Sequence, residues 1–208
     1  MPRTIDVDKL KAGSIHALDA ALNRLRNLGW IGSDEELTIY RWTAAMTAVE
    51  VHAIWERYAE RRLVAALNHY PDYFIEQEEI KGVSRISSGL AFYVVRGGSR
   101  YFDFRSSSEL LKKGDALLGQ PDNPFRGITK HNRDYLDALA AIRNLVVHDS
   151  SAATASFKRL ARSVYAVQYP GGAGEFLCAV EHRAGQPGRG KSRLSGLIAV
   201  VMDSVNSS

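Results

Sequence analysis

Four apolar residues, Tyr135, Leu139, Ile142 and Val146, recur at intervals of three and four and constrain the fold more than any other feature of the chain. That period belongs to a helix with one face in a core; a half-buried strand would alternate every second residue. Asp137, Ala141, Asn144 and His148 recur at the same spacing on another side of the same helix, with Arg143 in the neighbouring row. The pattern predicts a polar stripe turned away from the core, in which a long cation lies beside an imidazole. It ends in Ala141-Ile142-Arg143-Asn144-Leu145-Val146-Val147-His148, where an apolar helix is interrupted by an Arg-Asn pair and closed by a histidine.

An arginine with asparagine directly after it and a histidine five positions on, set in an apolar helix, resembles the signature of the HEPN superfamily of all-helical bundles. Helices predicted from about residue 35 to 165 supply the surrounding context. The resemblance implies a metal-independent endoribonuclease that works as a homodimer, often as the toxin half of a toxin–antitoxin pair or as part of anti-phage defence. RNA would be the substrate and an antitoxin a protein partner, with no cofactor or metal. The family also contains members that have lost catalysis and only bind. The alternative reading is therefore a non-catalytic helical module for a nucleotide or a protein partner.

The chemistry of RNA cleavage without metal fits these residue types. The 2′-hydroxyl attacks the adjacent phosphate, so the site needs one group to take a proton, one to give a proton, and a cation for the crowded phosphorane. His148 is the candidate base or acid, Arg143 the candidate cation, and Asn144 the candidate for orienting the imidazole or holding substrate. One chain supplies one histidine and one arginine, so two chains pairing their motif helices across a two-fold axis complete the set. The competing structural role has Arg143 paired with a carboxylate such as Asp137 or Asp149 and His148 decorating a helix end.

The rest of the chain also reads as helical. Ile5, Leu10, Ile15, Leu18, Leu22 and Leu25 mark a first helix to about Leu28, closed by Gly29. Ser33 or Asp34 caps a long second helix, with Glu35 and Glu36 at its positive end and Pro71 beyond its end. On it, Trp42 and Trp55 are expected to form a spine of the core, and Glu56, Arg57, Glu60 and Arg61 to form solvated ion pairs. His52 and His69 have no second ligand at zinc spacing. Residues 80–96 suggest another helix ended by Gly97-Gly98, and Tyr101-Phe102-Asp103-Phe104 a short extended piece.

Ser106 and Glu109 spell a capping box for a helix over 107–118, stopped by Gly119 and Pro121. After His148, residues 149–151 cap a helix over about 152–165. Residues 164–168 and 175–181 can pair as a small hairpin across the turn Tyr169 to Gly174, and a last helix covers about 194–205. The expectation is one all-α domain over 1–208, a bundle of six or seven helices with a motif helix at about 130–148.

Gly185-Gln186-Pro187-Gly188-Arg189-Gly190-Lys191-Ser192 matches a phosphate-cradling P-loop at every fixed position. Such a loop works with a parallel sheet and an acidic metal-binding strand, and only 16 residues follow Ser192. The stretch therefore reads as a mobile basic loop whose Arg183, Arg189, Lys191 and Arg193 contact RNA phosphates. A net charge of +4 and a pI near 9.2 favour an anionic partner. The single Cys178 removes internal disulfides and zinc clusters from consideration. The absence of an apolar run of membrane-spanning length points to a cytoplasmic protein with no membrane partner.

Overall fold

The computed structural model describes residues 4–27, 32–168 and 170–208, and these residues form an all-α structure. Helix α1, Val7–Arg26, starts at Asp6, whose carboxylate accepts from the Lys9 amide at 3.1 Å. The predicted Gly29 closure and the Tyr169 end of the predicted turn lie outside the described residues. Helix α2, Asp34–His69, has 36 residues and therefore runs roughly 54 Å at 1.5 Å per residue. A complete capping box begins it: Ser33 accepts from the Glu36 amide, and the Glu36 carboxylate accepts from the Ser33 amide at 2.9 Å. These bonds hold the Glu36 carboxyl below its ordinary value, the Gly32 amide being the largest contributor.

Two short helices escape the periodicity. Helix α3, Asp72–Gln77, follows directly on Pro71, and α4, Ser88–Val95, occupies only the second half of the predicted 80–96 segment. The Ser87 hydroxyl caps α4 at the Leu90 amide, so residues before it lie outside the helix. Helix α5, Ser107–Asp122, breaks at Gly119 (φ 70°) and resumes for a last turn. Its capping box is half formed, since Glu109 accepts from the Arg105 amide and not from Ser106. After a 3-10 turn over Pro124–Gly127 come α6, Lys130–His148, and α7, Ser151–Tyr165, capped by Ser150.

The predicted hairpin near 164–181 is not formed. Its first arm begins in the last two residues of α7 and continues through the left-handed cap Ala166, and its second lies mostly in α8, Ala173–Cys178. Phe176 and Leu177, adjacent in sequence, are both buried; a helical turn satisfies this and a one-face strand does not. Gly174 packs so closely on α2 that a Cβ there would sit 2.7 Å from the Arg41 carbonyl carbon. Residues 101–104 form no strand; Phe104 is buried and Phe102 packs against the core. Helix α9, Arg193–Asn206, completes nine α-helices among the described residues, more than the six or seven expected because α3 and α8 are too short to show a period.

Helix α2 is the axis of the bundle and packs against α1, α4, α5, α6, α8 and α9. Trp55 is fully buried, stacked at 5.9 Å on Tyr58 and edge-on at 6.0 Å to Phe125. Removing an aromatic side chain from such a position costs about 3–5 kcal/mol. Trp42 is no part of this spine: it is 65% exposed, in line with Ile39 and Met46 on an uncovered stripe of α2. Among the described residues no helix is long and apolar enough to cross a membrane.

Candidate functional site at the end of helix α6

Thr129 starts α6 by accepting from the Asn132 amide at 3.1 Å, and Tyr135, Leu139 and Ile142 bury its predicted core face. Val146 is only partly buried, because the core thins out towards the helix end. The opposite stripe is less uniform than predicted. Ala141 is buried, and Asp137 turns to α5, accepting from the Ser107 amide at 2.7 Å. From Asn144 to Ser150 the polar residues stand in solvent.

The helix stops because Asp149 adopts a left-handed backbone (φ 37°), with its amide bonded to the Leu145 carbonyl. Aspartate tolerates this conformation better than most non-glycine residues. Only Asp149 and Ser150 then separate α6 from α7. His148 is thus the last helical residue, exposed at a corner.

Arg143 Nη1 donates to Asn144 Oδ1 at 2.9 Å and lies 3.2 Å from His148 Nε2. A guanidinium has no acceptor, so in this contact Nε2 is the accepting atom. The three predicted residues are brought together, with one change of role. Asn144 holds the arginine, and the arginine meets the imidazole. Neither Asp137 nor Asp149 forms an ion pair with Arg143 among the described residues; the carboxylate whose charge Arg143 acts on is Glu56 of α2.

Helix α2 contributes Glu56, which the sequence suggested only as part of a surface ion pair, and His52, which it suggested only as a histidine without a second zinc ligand. His52 is 5% exposed, and its Nδ1 lies 3.4 Å from Glu56 Oε2, off the line of a hydrogen bond. Burial pushes the Glu56 carboxyl up, but its contact with His52 and the charges of His52, Arg143 and Arg57 outweigh this and hold it below its ordinary value. Arg143 therefore acts electrostatically on α2 as well as on its own helix. Their spacing on α2, i to i+4, was visible; their proximity to Arg143 depends on tertiary packing. Glu60, one turn further, pairs with Arg96 of α4 at 2.5 Å and not with a neighbour on α2.

Beside the site runs an open groove of about 540 Å³ between Arg41, Trp42 and Ala45 of α2, the Leu145 to Asp149 end of α6, and Phe157 and Lys158 of α7. It gives the motif end of α6 an apolar flank.

The P-loop match has a different fate. The amides of Arg189, Gly190 and Lys191 donate to the carbonyls of Gln186, Glu181 and Gly188, at 3.3, 2.7 and 2.7 Å. Ser192 caps α9, its hydroxyl accepting from the Ser195 amide. Three of the amides and the hydroxyl that would cradle a phosphate therefore already have protein partners. One of the motif's glycines serves packing: a Cβ on Gly188 would lie 2.6 Å from Gly196 Cα of α9, and one on Gly196 would lie 2.5 Å from the Pro187 carbonyl oxygen.

The loop is also pinned through Glu181, which is 2% exposed. Arg183 Nε donates to Glu181 Oε1 at 2.9 Å and Nη2 to Oε2 at 3.1 Å, while Arg193 Nε stands 3.7 Å from Oε2. Burial raises the Glu181 carboxyl, and the Arg183 bonds together with the charges of Arg183 and Arg193 overcome this, leaving it below its ordinary value. Arg193 also lies 4.6 Å over the Phe176 ring. Arg183 and Arg193, expected to contact phosphates, are committed to the fold. The loop is built into the bundle and is not a free basic arm.

No protein-family model, curated protein or solved structure matches the chain.

Proposed function

We propose that the chain is a metal-independent endoribonuclease of the HEPN type, acting as a homodimer whose two α6 ends face each other. The observation that carries this reading is the exposed Arg143–His148 contact, with Asn144 fixing the arginine. A cation and an imidazole nitrogen at one exposed point are what 2′-hydroxyl attack on phosphorus asks for. His148 Nε2 takes the 2′-proton as the oxygen bonds to phosphorus. The Arg143 N–H that occupied Nε2 turns to a non-bridging phosphate oxygen. The bond from phosphorus to the 5′-oxygen breaks, and that oxygen takes a proton from the second copy's His148, which enters the step protonated. The products are a 2′,3′-cyclic phosphate and a 5′-hydroxyl.

The uncovered stripe of Ile39, Trp42 and Met46, together with exposed Val147 beside His148, supports pairing at this end of the molecule. An antitoxin protein and a place in anti-phage defence belong to the same reading. The test is incubation of purified protein with end-labelled RNA in excess EDTA. Fragments ending in 2′,3′-cyclic phosphate are expected; intact RNA from a folded dimer would leave a helical module that binds a nucleotide or a protein.

A further inference from the structure

Residues 80–105 carry Lys81, Arg85, Arg96, Arg100 and Arg105 against the single acid Asp103, a surplus of +4 that equals the net charge of the whole chain. The remaining residues are therefore balanced. Only Arg96 of these five forms an ion pair among the described residues, with Glu60. The same segment exposes two large aromatic rings, Tyr93 at 63% and Tyr101 at 69%.

Local structure explains why these rings face out. On α4, Ala91 and Val95 are buried one turn apart and fix the inner face, so Tyr93 projects from the outer one. The helix ends in Gly97 and Gly98, both with positive φ (62° and 75°), and the reversal brings the chain back along the Tyr93 ring. A Cβ on Gly98 would lie 3.4 Å from the Tyr93 hydroxyl. Beyond the turn, the Arg100 guanidinium lies 5.6 Å from the Tyr101 ring centre, while Phe102 and Phe104 turn to the core. Two exposed rings and Arg100, which forms no ion pair among the described residues, thus lie on α4 and the turn that follows it, within a segment rich in cations. Base-stacking rings set among cations are how proteins bind single strands, because every base has a π-face and every nucleotide a phosphate.

The position of this surface is set by α2. Glu60 holds Arg96 of the aromatic surface, and Glu56, four residues earlier, carries the charge that interacts with Arg143. The two carboxylates lie one turn apart on one face of α2, about 6 Å along its axis. We propose that α4 and the turn after it form a docking surface for single-stranded RNA, with bases stacked on Tyr93 and Tyr101 and phosphates on Arg100 and its neighbours, leading the strand to the Arg143–His148 pair. The choice of RNA rests on the nuclease reading above; the charge and the exposed rings do not.

The experiment measures binding and cleavage separately. Fluorescence anisotropy of a labelled 12-nucleotide single-stranded RNA in EDTA, on full-length His148→Ala protein, reports docking without turnover. Replacing Tyr93 and Tyr101 together by alanine is expected to weaken binding about tenfold or more. Arg100→Ala should lower the slope of log K against log salt by roughly 0.7, the value for one phosphate on a single strand. In the catalytic background the tyrosine variant should cleave the 12-mer poorly and a dinucleotide at the parent rate. Circular dichroism and thermal melting check that the exposed substitutions leave the fold intact. Unchanged affinity in the folded tyrosine variant overturns the docking surface and leaves the nuclease reading standing. Ring-dependent binding with no cleavage by any variant does the reverse. Failure of the His148→Ala protein to bind the RNA, or equal loss of heparin and RNA binding in the tyrosine variant, also overturns the surface, in favour of a protein partner or of charge alone.

Discussion

The end of α6 and the loop over 185–192 both carry a short motif match, and the structure treats them in opposite ways. At the end of α6, the side-chain hydrogen bonds of Arg143 run to Asn144 and His148, both exposed at a helix corner, with Arg143 itself half-buried. In the loop, three amides and the Ser192 hydroxyl have protein partners, and Gly188 packs against Gly196 of α9. A motif is a list of groups that must be available, so the difference lies in what those groups already touch. By that measure the longer match is structural scaffolding and the shorter one is the candidate site.

The comparison is sharpened most by removing the exposed pair. Arg143→Ala and His148→Ala should each lower the RNA cleavage rate about 10²- to 10⁴-fold, the usual worth of a placed proton-transfer group or charge stabiliser. Melting temperature and dimer mass should stay near the parent's, because neither side chain is in the core. Cleavage at the parent rate by His148→Ala breaks the comparison outright.

On the loop side the large effect should be on stability. Glu181→Ala leaves two arginines around a buried vacancy and should cost about 3–5 kcal/mol in urea unfolding. Because the folded carboxyl lies below its ordinary value, its contribution is present above the unfolded pKa and is lost as pH falls through the folded one. The parent should therefore lose stability on acidification through that window, and Glu181→Gln should flatten the loss. An unfolding curve for Glu181→Ala that overlays the parent's would show the loop to be loosely held after all.

Smaller again is Gly188→Ala, which places a methyl against Gly196 and strains a positive φ (72°); about 1–3 kcal/mol of destabilisation should appear in the same assay. The smallest effect belongs to Lys191→Ala, at an exposed residue with its amide bonded internally, where stability should move by less than about 0.5 kcal/mol. The same variant should leave calorimetric ATP titrations as flat as the parent's. Tight magnesium–ATP binding lost with Lys191 would return the loop to the status of a nucleotide site.

Periodicity made most of the fold legible. The bounds of α6, the caps of α2 and α5, the extents of α7 and α9, and the core face of Tyr135, Leu139 and Ile142 follow from spacing and capping chemistry alone. Helices of six residues, such as α3 and α8, span less than two turns and have no period to read; α8 is defined instead by the approach of Gly174 to α2. Trp42 and Trp55 look alike in sequence, and only the packing of other helices along α2 decides that one is core and the other surface. The candidate site was legible as a residue set. Glu56 and His52 were not, since their part comes from α2 and α6 lying side by side.

The contrast between those two tryptophans has an optical consequence. Trp55, sealed among Tyr58 and Phe125, should emit towards the blue and shift only when the core opens. Trp42, at the lip of the groove beside the end of α6, should emit towards the red and answer to an aqueous quencher. In a Trp30→Phe background the protein thus carries two internal lamps at different depths, one lit by events at the end of α6 and the other by unfolding, so occupancy and collapse can be told apart in a single cuvette without a dye.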